Sequence, residues 1–151
     1  MNDVVSNENQ VDIPLQLCGF RVGDDYYAIS VLDVQEVIKP QTVTPVPMAE
    51  THIRGLINLR GQIVTAISLR KLFGLEEDLS AQHMNVIVRA NESLTALVVD
   101  EILDVINVER SAYEKAPETL PESMKKFVSG VYKMDKRILI LLNLKELVAN
   151  Q

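Results

Sequence analysis

The chain has 151 residues, of which 47% are hydrophobic, 24% charged and only 5% aromatic, and it carries a formal net charge of −6. There is enough apolar material for one compact domain, or for two small lobes sharing a core, which argues against wholesale disorder. General nucleic-acid binding is disfavoured, since it needs a basic face for phosphates and aromatic platforms for bases.

The elements follow in chain order. The polar, acidic stretch Met1–Gln10 is unlike a signal peptide, and a disordered tail is expected over residues 1–12. Leu15 to Val22 alternates apolar and polar side chains as a half-buried strand does, and Gly23-Asp24-Asp25 marks a turn into a returning strand, Tyr26 to Val31. Val34, Val37 and Ile38 fit a short helical turn or another strand, and periodicity does not decide between them. Pro40, Pro45 and Pro47 favour an extended edge segment. Ile53–Leu59 and Ile63–Ile67 read as strands joined at Arg60-Gly61. Leu69, Leu72 and Phe73 have helical spacing, with Ser68 as N-cap and Gly74 at the end. The polar stretch Asp78–Gln82 is the best boundary between halves.

In the second half, Val86–Ala90 and Leu94–Val99 form a hairpin candidate around Asn91-Glu92-Ser93. Ser111 to Glu114 fits a capping box for a short helix, and Pro117 and Pro121 bracket a loop. Val128–Met134 and Ile138–Leu142 make a final strand pair, and Leu144, Leu147 and Val148 share a helical face behind Asn143. Ile138–Leu142, the most continuous apolar run, is far too short to span a bilayer, so a cytoplasmic protein without direct membrane insertion is expected.

Residue patterns for catalysis are missing. The six glycines form neither a phosphate-cradling loop nor a dinucleotide fingerprint, and no serine stands in a nucleophile elbow. His52 and His83 are far apart and in no metal-binding pattern; either could meet a carboxylate in space, which leaves metal binding open, but they read as surface or loop residues. Cys18 is a single cysteine, which excludes an intramolecular disulfide framework, and its apolar setting suits a small buried hydrophobe. These absences weigh against an enzyme without excluding one, and no cofactor is expected.

The two halves repeat one another. Tyr27 aligns with Thr95, and without gaps Val31 meets Val99, Val34 meets Ile102, Glu36 meets Asp104, Val37 meets Val105 and Ile38 meets Ile106. Ile53 aligns with Val128, and Gly55 then meets Gly130, Ile63 meets Ile138 and Leu69 meets Leu144. Two similar small sheets follow, each marginal alone and stable when packed on the other. The fold class is all-β with short helices.

Taken together, Val34-Gln35-Glu36-Val37-Ile38, then Pro45, then Ile53 through Val64 with its Asn58-Leu59-Arg60-Gly61 hairpin resemble the CheW-like domain family of bacterial chemotaxis coupling proteins. Val98-Val99-Asp100 with Val105, Gly130, and Ile138 to Leu141 leading to Leu144 are similar to later parts of the same family. The resemblance implies two SH3-like five-stranded β-barrel lobes packed on a shared hydrophobic core, with a short helix at the C-terminus. A single domain over residues 13–150 is expected, with a first lobe about 15–78 and a second about 83–150, and exchange of terminal strands between lobes is left open. It also implies a non-enzymatic adaptor, recruited to membrane receptor arrays, that bridges the cytoplasmic tip of a chemoreceptor to the regulatory domain of the histidine kinase CheA. By resemblance Val34, Glu36, Arg60, Val86 and Val105 are receptor-binding residues. Gly55, Asn58, Leu59, Gly61 and Ile63 serve kinase binding or the hairpin itself, with Ile63 and Val64 not separable by alternation. A Glu36–Arg60 ion pair is a further expectation. Family members often carry proline and aspartate where this chain has Thr65 and Ser68. An adaptor of another array, such as one for twitching motility, and a small-ligand-binding barrel remain the alternatives.

Overall fold

The computed structural model describes residues 13–78 and 82–149; the expected tail over 1–12 lies outside them. Among these described residues, eleven strands form two sheets. The first half supplies β1 (Gln16–Val22), β2 (Asp25–Ser30), β3 (Val34–Ile38), β4 (Ile53–Leu59) and β5 (Gln62–Ser68). The second supplies β6 (Met84–Ala90), β7 (Ser93–Val99), β8 (Glu101–Asn107), β9 (Tyr113–Lys115), β10 (Val128–Lys133) and β11 (Ile138–Leu142). Three single-turn helices complete the chain: α1 (Leu69–Leu72), α2 (Glu122–Lys125) and α3 (Leu144–Val148).

Several local signals act as the residues demand. Arg60 and Gly61 both take positive φ (51° and 86°), as do Asn91 and Glu92 (52° and 66°), giving the turn hand that matches twisted hairpin strands. Ser68 Oγ accepts from the Lys71 N–H at 3.2 Å and caps α1, and Asn143 Oδ1 accepts from the Glu146 N–H at 3.4 Å at the start of α3. Gly74, at φ 81°, ends α1 while its N–H reaches the Lys71 carbonyl at 3.1 Å.

One reading changes. Ser111 to Glu114 builds no capping box: a 3-10 turn at Arg110–Ala112 without a side-chain cap runs straight into β9. Tyr113 is claimed by the sheet, pairing with Tyr132 and donating its hydroxyl to the Ser129 carbonyl at 3.1 Å. The stretch between Pro117 and Pro121 is a loop as expected, and a helical turn not foreseen, α2, follows it where Met124 is drawn into the core.

The sheets do not follow the sequence halves. One has the order β8-β1-β2-β11-β10-β9 and the other β3-β6-β7-β5-β4. Each half lends its first hairpin to the remaining strands of the other, a strand exchange that the reading of lobes at about 15–78 and 83–150 leaves open. The first sheet has six strands rather than five, because β9 adds to its edge. The repeat is visible in the pairing register. Thr65 pairs with Thr95 and Ala66 with Ala96 in one parallel ladder; their counterparts Ile140 and Leu141 pair with Tyr27 and Ala28 in the other. The counterpart of β9 is a single bridge, Thr44 to Leu56, where Pro45 and Pro47 deny the chain further ladder donors.

Exchange also explains the long apolar runs. Phe20, Val22, Tyr27 and Ile29 from the first sheet meet Ile67, Val86, Val88, Leu97 and Val99 from the second in a central core. Alternate residues point the other way: Leu17, Ala28, Leu139 and Leu141 into one sheet's own core, Ile57, Val64, Ala66, Ile87 and Ala96 into the other's. Strands buried on both faces lose the apolar-polar alternation of a half-exposed sheet.

Candidate docking surfaces

Two edge strands, β3 and β8, occupy equivalent places in the two sheets. Val34 on β3 and Ile102 on β8 pack against the central core, while Val37 and Val105, matched by the repeat, are 38% and 56% exposed. A bulge between Val34 and Glu36 re-aims the β3 side chains that follow. Arg60, in the β4–β5 turn, donates from Nη2 to Glu36 Oε2. These two elements lie at opposite ends of their sheet, so the ion pair bridges a sheet that curls back on itself. Arg60 is largely exposed, and such a pair contributes only about 0–1 kcal/mol; its effect is to orient both side chains.

The hairpin around Arg60 divides its residues clearly. Asn58 Oδ1 accepts from the Gly61 N–H at 2.9 Å and closes the turn. Leu59 and Val64 are buried in the sheet's own core, whereas Ile63, opposite Asn58, is 62% exposed. Gly55 has φ 146°, and a Cβ there would stand 2.3 Å from the Thr44 carbonyl oxygen, where the proline-rich segment crosses β4. Gly130, its counterpart, instead leaves room for the Tyr113 ring, which would stand 2.5 Å from a Cβ there. Gly55→Ala is expected to cost about 1–3 kcal/mol through backbone strain and loss of the Thr44 bridge, read as a lower melting temperature and faster proteolysis within 40–50.

Val86 is corrected. It is fully buried in the central core on β6, which is flanked by β3 and β7, with both faces covered; it offers no surface to a partner. Thr65 lies between β4 and β7, so its backbone belongs to an inner strand rather than an edge. Ser68 Oγ, besides capping α1, donates to Glu77 Oε1, and the same carboxylate is paired with Arg54 at 3.4 Å. Cys18 is buried, and desolvation pushes its thiol up, away from the reactive thiolate. His83 is a loop residue, as read, but a half-buried one: its side chain is 11% exposed, between the Asp78 carbonyl at 3.1 Å and the Asp100 carboxylate at 3.8 Å.

A groove of about 720 Å³ lies where the 3-10 turn Val31–Asp33 crosses from β2 to β3. Leu15, Leu32, Asp33, Arg89, Asn91 and Lys145 are among its lining. Leu32 is 91% exposed, and burial raises the Asp33 carboxyl above its ordinary range. The sequence reading missed Leu32, and it placed Asp100 in a family-like run without giving it a role. Each is one residue out of pattern, a leucine beside a turn and an acid closing an apolar strand. Among the described residues, no group of three His, Cys, Asp or Glu side chains is placed to hold a metal ion, and no helix is long and apolar enough to cross a membrane.

Paired sheets joined by exchanged hairpins, with exposed valines on two edge strands, define a two-lobed β fold. The solved structure of the scaffolding protein TtCheW from Thermoanaerobacter tengcongensis matches with a TM-score of 0.78 at 28% identity, over 87% of this chain and 90% of that one. The CheW-like domain model matches residues 16–151, and the chain belongs to that family. It is 32% identical over 135 residues to the chemotaxis protein CheW of Helicobacter pylori, covering 89% of this chain and 81% of the relative. It is 34% identical over 125 residues to CheW of Bacillus subtilis, covering 82% and 80%.

Proposed function

We propose that this chain couples the cytoplasmic tip of a chemoreceptor to the regulatory domain of the histidine kinase CheA, acting in the cytoplasm at receptor arrays and without catalysis of its own. As a CheW-like protein it is a chemotaxis scaffold. The observation that carries the finer reading is the Glu36–Arg60 bridge. It joins edge strand β3, with Val34 and the exposed Val37, to the turn of the hairpin that exposes Ile63. An adaptor needs apolar contact area with a few orienting charges, and both features meet here. The receptor tip is assigned to Val34, Glu36 and Arg60 together with Val105 on the other edge. The kinase domain is assigned to the outer face of the β4–β5 hairpin at Ile63. Gly55, Asn58, Leu59 and Gly61 then act by shaping that hairpin.

Co-purification with a receptor cytoplasmic fragment and with the kinase tests this directly. Glu36→Lys sets a lysine against Arg60 and reverses the charge on β3. It is expected to weaken receptor-fragment binding about tenfold or more, equivalent to ~1.4 kcal/mol, with the melting temperature nearly unchanged. Unchanged receptor affinity would remove Glu36 from the site. Failure of the parent protein to bind either partner would remove the whole reading.

A further inference from the structure

The chain passes between the sheets twice in equivalent places, and the two crossings are built differently. From β2 to β3 it runs through Val31–Asp33, with Leu32 at the midpoint. From β7 to β8 it runs through the single residue Asp100, the counterpart of Leu32 in the repeat. Leu32 is 91% exposed and Asp100 only 8%. The Asp100 carboxylate receives Arg70 Nε at 2.9 Å and Arg70 Nη2 at 2.8 Å, a two-pronged contact, and the Gly23 N–H at 2.8 Å. Arg21 Nη1 stands at 3.5 Å, and the Asp100 N–H donates to the Arg21 carbonyl at 3.0 Å. Arg70 belongs to α1, at the end of the second sheet's β5, whereas Arg21 and Gly23 belong to the β1–β2 hairpin of the first. One buried carboxylate therefore ties both sheets at the point where the chain changes sheet.

We propose that Asp100 and Arg70 are positioning residues for docking: they form a latch that fixes the angle between the sheets, and so the placement of β8 relative to β3. The crossing at Leu32 has no such latch. Its 3-10 turn is capped by Ser30 Oγ accepting the Leu32 N–H at 3.2 Å, a contact within one short segment, and it borders the groove. Movement between the sheets accordingly pivots at Asp100 and opens or closes at Leu32. A partner that touches both β3 and β8 senses that angle, while one held by the β4–β5 hairpin does not. This last step rests on the docking reading above; the latch itself does not.

The test uses Arg70→Lys, which keeps the charge and loses the planar fork, and Asp100→Asn, which keeps the shape and loses the charge. Spin labels at Gln62 and Lys133, exposed on different sheets, report the inter-sheet distance in a Cys18→Ala background. Both variants are expected to broaden the distance distribution and to weaken receptor-fragment binding about tenfold, with kinase-domain binding within twofold of the parent. An unchanged distribution in a folded variant overturns the latch, whatever happens to binding. Hydrogen exchange on the unaltered chain gives a second measurement that needs no variant. The Gly23 and Asp100 amides are expected to exchange only through global unfolding, those at Leu32 to Val34 through local opening; equal rates at the two crossings overturn the proposal. If the parent binds no receptor fragment, the docking reading fails while the distance and exchange results still decide the latch.

Discussion

Asp100→Ala is expected to cost about 3–5 kcal/mol, because removing one partner of a buried ion pair leaves the other uncompensated. For a chain of this length that lowers the melting temperature by roughly 6–20 °C. Arg70 loses its carboxylate partner, and the Gly23 N–H loses its acceptor. The same site gives a pH dependence. Burial by itself raises the Asp100 carboxyl, but the Arg70 hydrogen bonds, the Gly23 N–H and the charges of Arg70 and Arg21 outweigh it and hold the group below the ordinary carboxylate range. A group lowered on folding stabilises the native state fully above its unfolded pKa, about 4, and that contribution drains away as pH falls towards the lowered value. Denaturation midpoints are therefore expected to fall on acidification below about pH 4 in the parent, with this component absent from Asp100→Asn. An identical acid limb in both proteins would show that the carboxylate is not the group responsible.

Phe20→Ala is the second large effect, about 3–5 kcal/mol from lost burial and an unfilled cavity. Phe20 is fully buried and begins a chain of rings across the central core. Its centroid is 6.3 Å from that of Tyr27, Tyr27 is 5.0 Å from Phe73, and Phe73 is 6.2 Å from Phe127. Phe20 and Tyr27 come from the first sheet, Phe73 from the end of α1 beyond the second, and Phe127 from the segment entering β10. Both sheets depend on this stack, so the variant is expected to unfold in one transition by near-ultraviolet and far-ultraviolet circular dichroism alike. Two separated transitions would mean that the sheets are independent cooperative units.

What was legible in the sequence was mostly local. Arg60-Gly61, Asn91-Glu92, Ser68, Gly74 and Asn143 announce turns and caps because their chemistry acts within a few residues. The repeat was legible because both sheets need the same arrangement, down to a glycine wherever an outer segment crosses the strand. Val86 was misread because a strand covered on both faces presents apolar residues without alternation, and nothing nearby separates groove from core. Ile63 and Val64 are adjacent apolar residues on opposite faces, so only the curvature of the finished sheet distinguishes them. The exchange of hairpins, and with it the Asp100 latch, depends on pairings between residues far apart in the chain. Resemblance pointed to Glu36 and Arg60, and their contact depends on the sheet curling until its ends meet.

The exchanged hairpins also set the order in which the protein can be made. β1 and β2 leave the ribosome before their neighbours β8 and β11, with all of β3 to β7 synthesised in between. Until those neighbours emerge the first hairpin has no sheet to join, although the second sheet that covers Phe20 and Tyr27 is complete once β7 has been made. Neither sheet closes before most of the polypeptide exists, so maturation is governed by long-range closure, the slow regime for β proteins. A nascent or truncated chain ending before β8 carries unpaired strand edges and bare apolar faces, a substrate for chaperones rather than half of a working scaffold.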